Sequence, residues 1–144
     1  MHSVVVEETH SLNQPLLRGR AKKGINSASR QFVALVDNEE AGLLILEHFP
    51  CNNLAFVYEI YVLTEYRKIG VGNLLLLRAE AVALGLSCKT LRLLVRSLDQ
   101  EFINDEVLMS WYSRKGFDRD VSEDGYMQKY LTTTSKVISR RGDD

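Results

Sequence analysis

One stretch of the chain, Tyr58 to Leu84, constrains the fold more than any other. Its first residues, Tyr58 to Leu63, are rich in aromatic and β-branched side chains and end at the turn-compatible Thr64, so they predict a strand. From Val71 onward, apolar residues recur at helical spacing without a proline until Gly85, which predicts a long helix. The stretch therefore predicts a strand, a turn and a helix in direct succession.

The turn between them, Arg67 to Asn73 (RKIGVGN), predicts a phosphate site. Its glycines leave no Cβ atom where a ligand must approach the backbone. The start of a helix leaves several amide groups without intrahelical partners, and the helix dipole and two adjacent cations favour a negative charge there. We expect these groups to bind a phosphate or pyrophosphate.

Two familiar nucleotide-binding loops do not fit this turn. A Walker loop ends in Gly-Lys-Ser/Thr, whereas the second glycine here is followed by Asn73 and Leu74. A Rossmann turn needs a third glycine three residues after the second, and Leu75 occupies that position. Both readings are therefore excluded.

The pattern R-x-x-G-x-G at residues 67–72, placed after a strand, resembles the pyrophosphate loop of the GNAT-type N-acetyltransferases, which bind acetyl-coenzyme A. A second motif, Tyr112 to Phe117 (YSRKGF), resembles the segment that ends the last helix of many of these enzymes. Tyr126 to Leu131 (YMQKYL) resembles their closing strand. The resemblance extends from about Gln31 to Leu131.

This resemblance implies an α/β fold of the GNAT type. Such a fold has a mixed, twisted central sheet of six to seven strands, with helices on both faces and strands that splay apart beside the cofactor. The length of 144 residues, with 45% hydrophobic content, fits a single domain with one core. We place this domain at residues 1–131 and expect residues 132–144, which lack a hydrophobic pattern, to form a flexible tail.

The other elements are predicted from periodicity and turn signals. The predicted strands are His2–Glu7, Gln31–Asp37, Ala41–Glu47, Thr90–Val95, Phe117–Val121 and Tyr126–Leu131, the second helix is Asp105–Lys115 with an acidic start that can cap it, and His48–Leu54 and Arg96–Ile103 are loops. The near-continuous hydrophobicity of the 31–37 and 41–47 strands predicts burial on both faces.

The segment from Thr9 to Arg30 is the least predictable. It holds Pro15, two glycines and five cations, and no acid. In the resembled family this region supplies helices that shape the acceptor pocket, so its cations could attract an anionic acceptor. The alternative is a solvated, partly mobile basic segment.

By the same resemblance, Glu59 and Tyr112 are the catalytic candidates. Glu59 would accept the proton of the attacking amine, and strand alternation points its side chain opposite to Tyr58 and Ile60. Its alternative role is a polar strand residue or an ion-pair partner. Tyr112 would donate to the leaving thiolate, or else be an ordinary aromatic core residue. The nearby Glu65 is a rival base.

The predicted coenzyme site combines the splayed strand with the turn. The strand would pair with the pantetheine arm and offer an amide to the acetyl oxygen. The turn amides would hold the pyrophosphate, and Arg67 and Lys68 would supply charge. The predicted residues are Ile60, Tyr61, Val62, Arg67, Lys68, Ile69, Gly70, Val71, Gly72 and Asn73.

The chain departs from the family pattern at three places. Thr64 replaces a frequent proline, and Lys68 replaces a frequent glycine. An asparagine often found seven residues before the tyrosine is Asp105 here, with Asn104 one place early. These departures leave a coenzyme contact near residues 104–105 open.

Composition bounds the partners. The net charge of −1 argues against a dedicated nucleic-acid or membrane-surface protein. Cys51 and Cys88 form no spacing motif, so we expect reduced thiols in a cytoplasmic protein. No metal is expected, because no Cys/His/Asp cluster has ligand spacing.

A second apolar stripe on the long helix (Leu74, Leu77, Ala81, Leu84) is covered either by this domain or by a second copy in a homodimer.

The sequence therefore leaves three functions open. The first is an N-acetyltransferase that moves the acetyl group of acetyl-coenzyme A to a primary amine of a small molecule or peptide. The second is a non-catalytic acyl-coenzyme A binding module. The third is a nucleic-acid partner that binds through the Thr9 to Arg30 segment, which would make its binding sensitive to salt.

Overall fold

The structure, a computed structural model, describes residues 2–132. Residues 133–144, nearly all of the predicted tail, lie outside the described part. The strands are β1 (Val4–Glu8), β2 (Ser29–Val36), β3 (Glu39–Phe49), β4 (Leu54–Val62), β5 (Thr90–Leu94), β6 (Asp118–Arg119) and β7 (Tyr126–Tyr130). The helices are α1 (Pro15–Lys23), α2 (Val71–Gly85) and α3 (Asp105–Arg114), with 3-10 turns at Pro50–Asn52 and Thr64–Tyr66.

The strands form one mixed sheet of seven, in the order β1-β2-β3-β4-β5-β7-β6. Only β4 and β5 are parallel, and every other neighbouring pair is antiparallel. The predicted strand number, the mixed character of the sheet and the α/β class are confirmed. Residues 41–46 of β3 are buried without a break, as the continuous apolar run predicts.

Helices cover both faces of the sheet, as expected. Helices α2 and α3 pack on one face, where the larger core lies. Helix α1 covers the other face through Leu17 and Ala21, which pack with Leu43 and Ile45 of β3. The residues of α2 that face the sheet and are buried are Val71, Leu75, Leu76, Ala79 and Ala83.

The second apolar stripe of α2 is only partly covered within residues 2–132. The side chain of Leu77 is half exposed and Ala81 is exposed, whereas Leu74 and Leu84 are partly buried. Both alternatives for this stripe, burial by the same domain and burial by a second copy in a homodimer, stay predictions.

Several predicted bounds are wrong. Strand β4 begins at Leu54 rather than Tyr58, because residues 54–57 pair with both β3 and β5 and this pairing outweighs the loop signals of the preceding Pro-Cys-Asn-Asn. The predicted loop from His48 to Leu54 shrinks to a 3-10 turn. The predicted strand Phe117–Val121 is reduced to the two residues of β6, since only these two pair with β7.

Gly42 on β3 sits where β4 meets the start of α2. A Cβ at this position would lie 3.0 Å from the carbonyl oxygen of Tyr61 and 3.2 Å from side-chain atoms of Val71 and Leu75. The close approach of β3 to the segment that follows β4 therefore depends on a glycine.

We expect Gly42→Val to destabilise the fold by about 1–3 kcal/mol, because the added methyl groups would overpack this junction. Thermal unfolding measures the change. The matched control is Gly19→Ala in α1, where a Cβ would meet nothing within 4 Å. The control should leave the unfolding temperature unchanged or raise it. Equal unfolding temperatures for Gly42→Val and the unmodified protein would contradict the packing argument.

Candidate active site

A cleft opens in the sheet where β4 and β5 stop pairing. Their parallel register runs from Leu54 and Thr90 to Val57 and Leu93, and goes no further. Immediately afterwards β4 carries a bulge at Tyr58, because Val57 pairs with Leu46 and Glu59 with Ile45. The rest of β4 thus keeps β3 on one side and has an open edge on the other. The cleft has a volume of about 610 Å³.

All the predicted site residues line this cleft except Ile69, which lies outside it with its side chain exposed. The β4 wall presents its open edge at Ile60, Tyr61 and Val62. The opposite wall comes from the segment that follows β5 and from α3, including Phe102, Trp111 and Tyr112. The structure therefore brings together residues from three separate parts of the sequence.

The start of α2 forms an anion cradle at one end of the cleft. Gly70 is the N-cap residue in the left-handed region, with φ of 90°, and no side chain caps the helix. Lys68 also has a left-handed φ, of 70°. Within residues 2–132, the backbone amides of residues 71–73 donate to no other group, whereas the amide of Leu74 donates to the Gly70 carbonyl oxygen at 3.1 Å. Three amides and the helix dipole are thus directed at one place.

Arg67 holds the turn in position. Its Nε donates to the Val62 carbonyl oxygen at 2.9 Å, and its Nη1 donates to an oxygen of Asp99 at 2.7 Å. Its guanidinium carbon lies 5.6 Å from the Tyr61 ring centre and 4.9 Å from that of Phe102. The hydrogen bond from Arg67 is the main cause that lowers the pKa of Asp99 below its ordinary value.

The role predicted for Arg67, to supply charge to the coenzyme, stays a prediction. Its guanidinium lines the cleft and also joins the turn to the segment after β5. It does so through its ion pair with Asp99, a residue 32 positions away in the sequence. Lys68 differs from Arg67. It is exposed, and its Nζ lies 5.8 Å from the Phe102 ring centre.

Glu59 does not point away from Tyr58, as simple alternation predicts. The bulge turns both side chains towards α1: the Tyr58 ring would lie 3.2 Å from a Cβ on Gly24, just after that helix. Nε of Arg20, on α1, donates a hydrogen bond to Glu59. The carboxylate is therefore an ion-pair partner, with 12% of its side chain exposed, and it also lines the cleft.

Tyr112 lies on the opposite wall with 8% of its surface exposed. The rings of Trp111 and Phe117 pack against it edge to face, with centres 5.0 and 5.6 Å away. This burial raises the pKa of Tyr112 to about 12, because the phenolate would lose its hydration. The phenol therefore keeps its proton throughout the neutral range.

The other candidates have structural roles or lie outside the cleft. Glu65 is exposed in the 3-10 turn after β4 and does not line the cleft. Asn104, not the predicted acidic residues, caps α3 by accepting from the Val107 amide at 2.9 Å. Asp105 accepts from the Ser97 amide at 2.7 Å. Neither Asn104 nor Asp105 lines the cleft; Asn104 caps α3, and Asp105 holds the segment after β5 through Ser97, which does line it.

Two negative findings apply to the part of the chain that the structure describes. It contains no group of three or more His, Cys, Asp or Glu side chains that could hold a metal ion. None of its helices combines the length and the apolar character that crossing a membrane requires.

The sequence reasoning missed four residues that shape the cleft: Arg20, Asp99, Phe102 and Trp111. Trp111 directly precedes the predicted tyrosine, and a large aromatic at that position was a usable signal. Arg20 was noted only as one of several cations. Nothing in the local sequence marks Asp99 or Phe102, whose contacts with the turn exist only in three dimensions.

The raised pKa of Tyr112 generates a titration prediction. Of the six tyrosines, we expect one to ionise near pH 12 and to disappear from the ultraviolet titration of Tyr112→Phe. Because the folded pKa exceeds the unfolded value of about 10, this phenol contributes stability below pH 10 that is lost as the pH rises towards 12. Ionisation of all six tyrosines near pH 10 would contradict the burial argument.

Comparison with known proteins agrees with this architecture. A family model described as an acetyltransferase (GNAT) domain matches residues 27–119, more than half of the chain. No curated protein matches the chain.

Solved structures share the fold. The PaiA N-acetyltransferase of Thermoplasma acidophilum, in complex with coenzyme A, is 22% identical with a TM-score of 0.60, over 81% of this chain and 68% of that one. Nourseothricin acetyltransferase is 27% identical with a TM-score of 0.57, over 74% and 67%. A GNAT family acetyltransferase of Elizabethkingia anophelis with acetyl-CoA bound is 15% identical with a TM-score of 0.68, over 89% and 98%.

The match of the family model over most of the sheet, together with the splayed strands and the amide cradle, fixes the class. The chain belongs to the GNAT acetyltransferase family, whose activity class is coenzyme A-dependent acyl transfer.

Proposed function

We propose that the protein transfers the acetyl group of acetyl-coenzyme A to a primary amine of a small molecule or peptide, by direct attack through a tetrahedral intermediate. One observation carries this proposal. A single cleft holds unpartnered helix-start amides, an open strand edge, a buried neutral phenol and a carboxylate, among the residues that line it. Such a set of groups can bind the coenzyme and assist both the attack of the amine and the departure of the thiolate.

The coenzyme would bind along β4 and the start of α2. Amides of residues 71–73 are available to the pyrophosphate, and the exposed Lys68 adds positive charge beside them. The two amides of the pantetheine arm can pair with the open edge at Ile60, Tyr61 and Val62, as an added strand would. An amide of the same edge would donate to the acetyl oxygen as it becomes negative in the tetrahedral intermediate.

Tyr112 would stabilise the leaving thiolate. Complete proton transfer from a phenol with a pKa of about 12 to a thiolate with a pKa of about 8.5 is uphill by roughly 5 kcal/mol. The contribution of Tyr112 is therefore a hydrogen bond to the developing negative charge, and the proton that completes the thiol comes from solvent.

Glu59 would receive the amine's proton, directly or through a water molecule. An alkyl amine with a pKa of about 10.4 costs about 4.6 kcal/mol to deprotonate at pH 7, so a nearby acceptor is useful. The hydrogen bond from Arg20 fixes the position of Glu59 in the cleft.

The same ion pair favours one alternative, a non-catalytic acyl-coenzyme A binding module, because Glu59 is already engaged by Arg20. Release of free thiol separates the two functions. An enzyme liberates coenzyme A in the presence of an amine acceptor, whereas a binding module shows calorimetric binding of acetyl-coenzyme A and no thiol release across a broad amine panel.

We expect Tyr112→Phe to lower kcat by about 10²-fold while leaving the affinity for acetyl-coenzyme A unchanged. The phenyl ring keeps the packing against Trp111 and Phe117 and removes only the donor. Steady-state thiol release gives kcat, and calorimetry gives the coenzyme affinity. Unchanged turnover would remove Tyr112 from the mechanism.

We expect Gly70→Val to weaken the binding of coenzyme A by about 5- to 30-fold, since a left-handed φ costs an L-residue about 1–2 kcal/mol. The turn would relax and misalign the cradle amides. The control is Gly85→Ala at the other end of the same helix, where φ is not left-handed and a Cβ meets nothing within 4 Å. Equal affinities for the two variants would show that the cradle does not hold the coenzyme.

A further inference from the structure

The Arg20 and Glu59 pair joins α1 to β4, and Glu59, although not Arg20, is among the residues that line the cleft. The guanidinium carbon of Arg20 is 4.4 Å from the centre of the Tyr61 ring, and both Tyr61 and Glu59 line the cleft. The pair is partly buried, with 25% of the Arg20 side chain and 12% of the Glu59 side chain exposed. It is thus a fixed positive and negative charge at the edge of the cleft.

Several hydrogen-bond donors of Arg20 are unused within residues 2–132. A guanidinium carries five N–H groups, and within residues 2–132 only Nε of Arg20 donates a hydrogen bond, to Glu59. The two terminal nitrogens meet no acceptor in that part of the chain. A planar guanidinium held by a ring on its face, with its terminal edge unused, matches the bidentate geometry of a carboxylate.

The local charge also favours an anion. The sequence contains no acidic residue between Thr9 and Arg30. Arg30, at the end of this segment, is paired with Glu8 and takes no part in the cleft. No carboxylate of α1 therefore competes for the free edge of Arg20.

We propose that the acceptor is an α- or β-amino acid, whose carboxylate binds the terminal nitrogens of Arg20 while its amine is directed at Glu59. This inference rests on the proposed function. Because Arg20 and Glu59 are in direct contact, the two charges of the ligand must be only one or two carbon atoms apart. Polyamines and aminoglycosides, which lack such a carboxylate, do not fit.

The reaction balances without any further reactant. The amine nitrogen forms a bond to the thioester carbonyl carbon, and the carbon–sulfur bond breaks. The sulfur leaves as a thiolate and takes up a proton, and the amine's protons pass to Glu59 and then to solvent. The products are an N-acetyl amino acid and coenzyme A.

The test compares each amino acid with its own amide, which keeps the amino group and the side chain and replaces the carboxylate by a neutral group. With the full chain and acetyl-coenzyme A, we expect the best amino acid to exceed its amide in kcat/KM by at least about 10-fold. Arg20→Gln should lower kcat/KM for the acid by about 10- to 100-fold more than it lowers kcat/KM for the amide, so that the preference disappears. Arg20→Lys should retain part of the preference, because lysine keeps the positive charge but lacks the two parallel N–H donors of the guanidinium.

Two features keep this test specific. Any effect of Arg20→Gln on Glu59 or on folding lowers acid and amide together, so the ratio of the two isolates the carboxylate contact. Arg18→Gln, an exposed cation on the same helix, is the matched control and should leave the ratio unchanged. An unchanged ratio in Arg20→Gln, or no preference in the unmodified protein, overturns the proposal.

Failure of this proposal and failure of the proposed function give different results. Thiol release with simple amines but not with amino acids supports acetyl transfer and refutes the proposal that the acceptor is an amino acid. If no acceptor gives thiol release, the proposed recognition site is tested by binding alone. Calorimetry then compares the affinities of amino acids and of their amides for the coenzyme A complex. A preference for the acid that Arg20→Gln abolishes supports the recognition site, and the absence of binding or of preference refutes it.

Discussion

The structure depends on the loss of pairing between β4 and β5 after Val57 and Leu93. Up to that pair the two parallel strands hold the centre of the sheet together. Beyond it, the bulge at Tyr58 bends β4, while β5 ends one residue later at Leu94. Backbone groups on the edge of β4 are then left to water or to a ligand. An open edge in the middle of a sheet is costly in an ordinary domain, and here it forms one wall of the cleft.

Two ion pairs then fix the walls around this gap. Arg67 and Asp99 join the turn before α2 to the segment after β5, and Arg20 and Glu59 join α1 to β4. Each arginine also lies over the Tyr61 ring, so that this tyrosine carries a guanidinium at 4.4 and at 5.6 Å. Both pairs are partly buried, which makes removal of one partner costly because it strands the other charge.

The features that depend on neighbouring residues in the sequence could be predicted from it. The start of α2 at Val71 follows from the helical spacing of apolar residues, and its end follows, to within one residue, from the closing Gly85. The cradle amides follow from a helix start that lacks a side-chain cap. Tyr112 was identified through its motif, and its position in the cleft agrees.

The non-local parts are not readable. The direction of Glu59 depends on a bulge that arises from the register between β3 and β4, and no single strand encodes it. The two ion pairs join residues 39 and 32 positions apart. Helix α1 contains Pro15 and Gly19 and buries only Leu17 and Ala21, so its local signal is weak and its formation depends on packing against β3.

The bulge also decides how two substrates can meet. The cradle belongs to α2, on one face of the sheet, and the Arg20 and Glu59 pair belongs to the face that α1 covers. The sheet separates these faces everywhere except at the gap between β4 and β5, and residues from both sides line that gap. A coenzyme held from one face and an acceptor held from the other would therefore place thioester and amine together inside the sheet. Neither Cys51 nor Cys88 lines the cleft, so this geometry favours direct transfer over an acyl-cysteine intermediate.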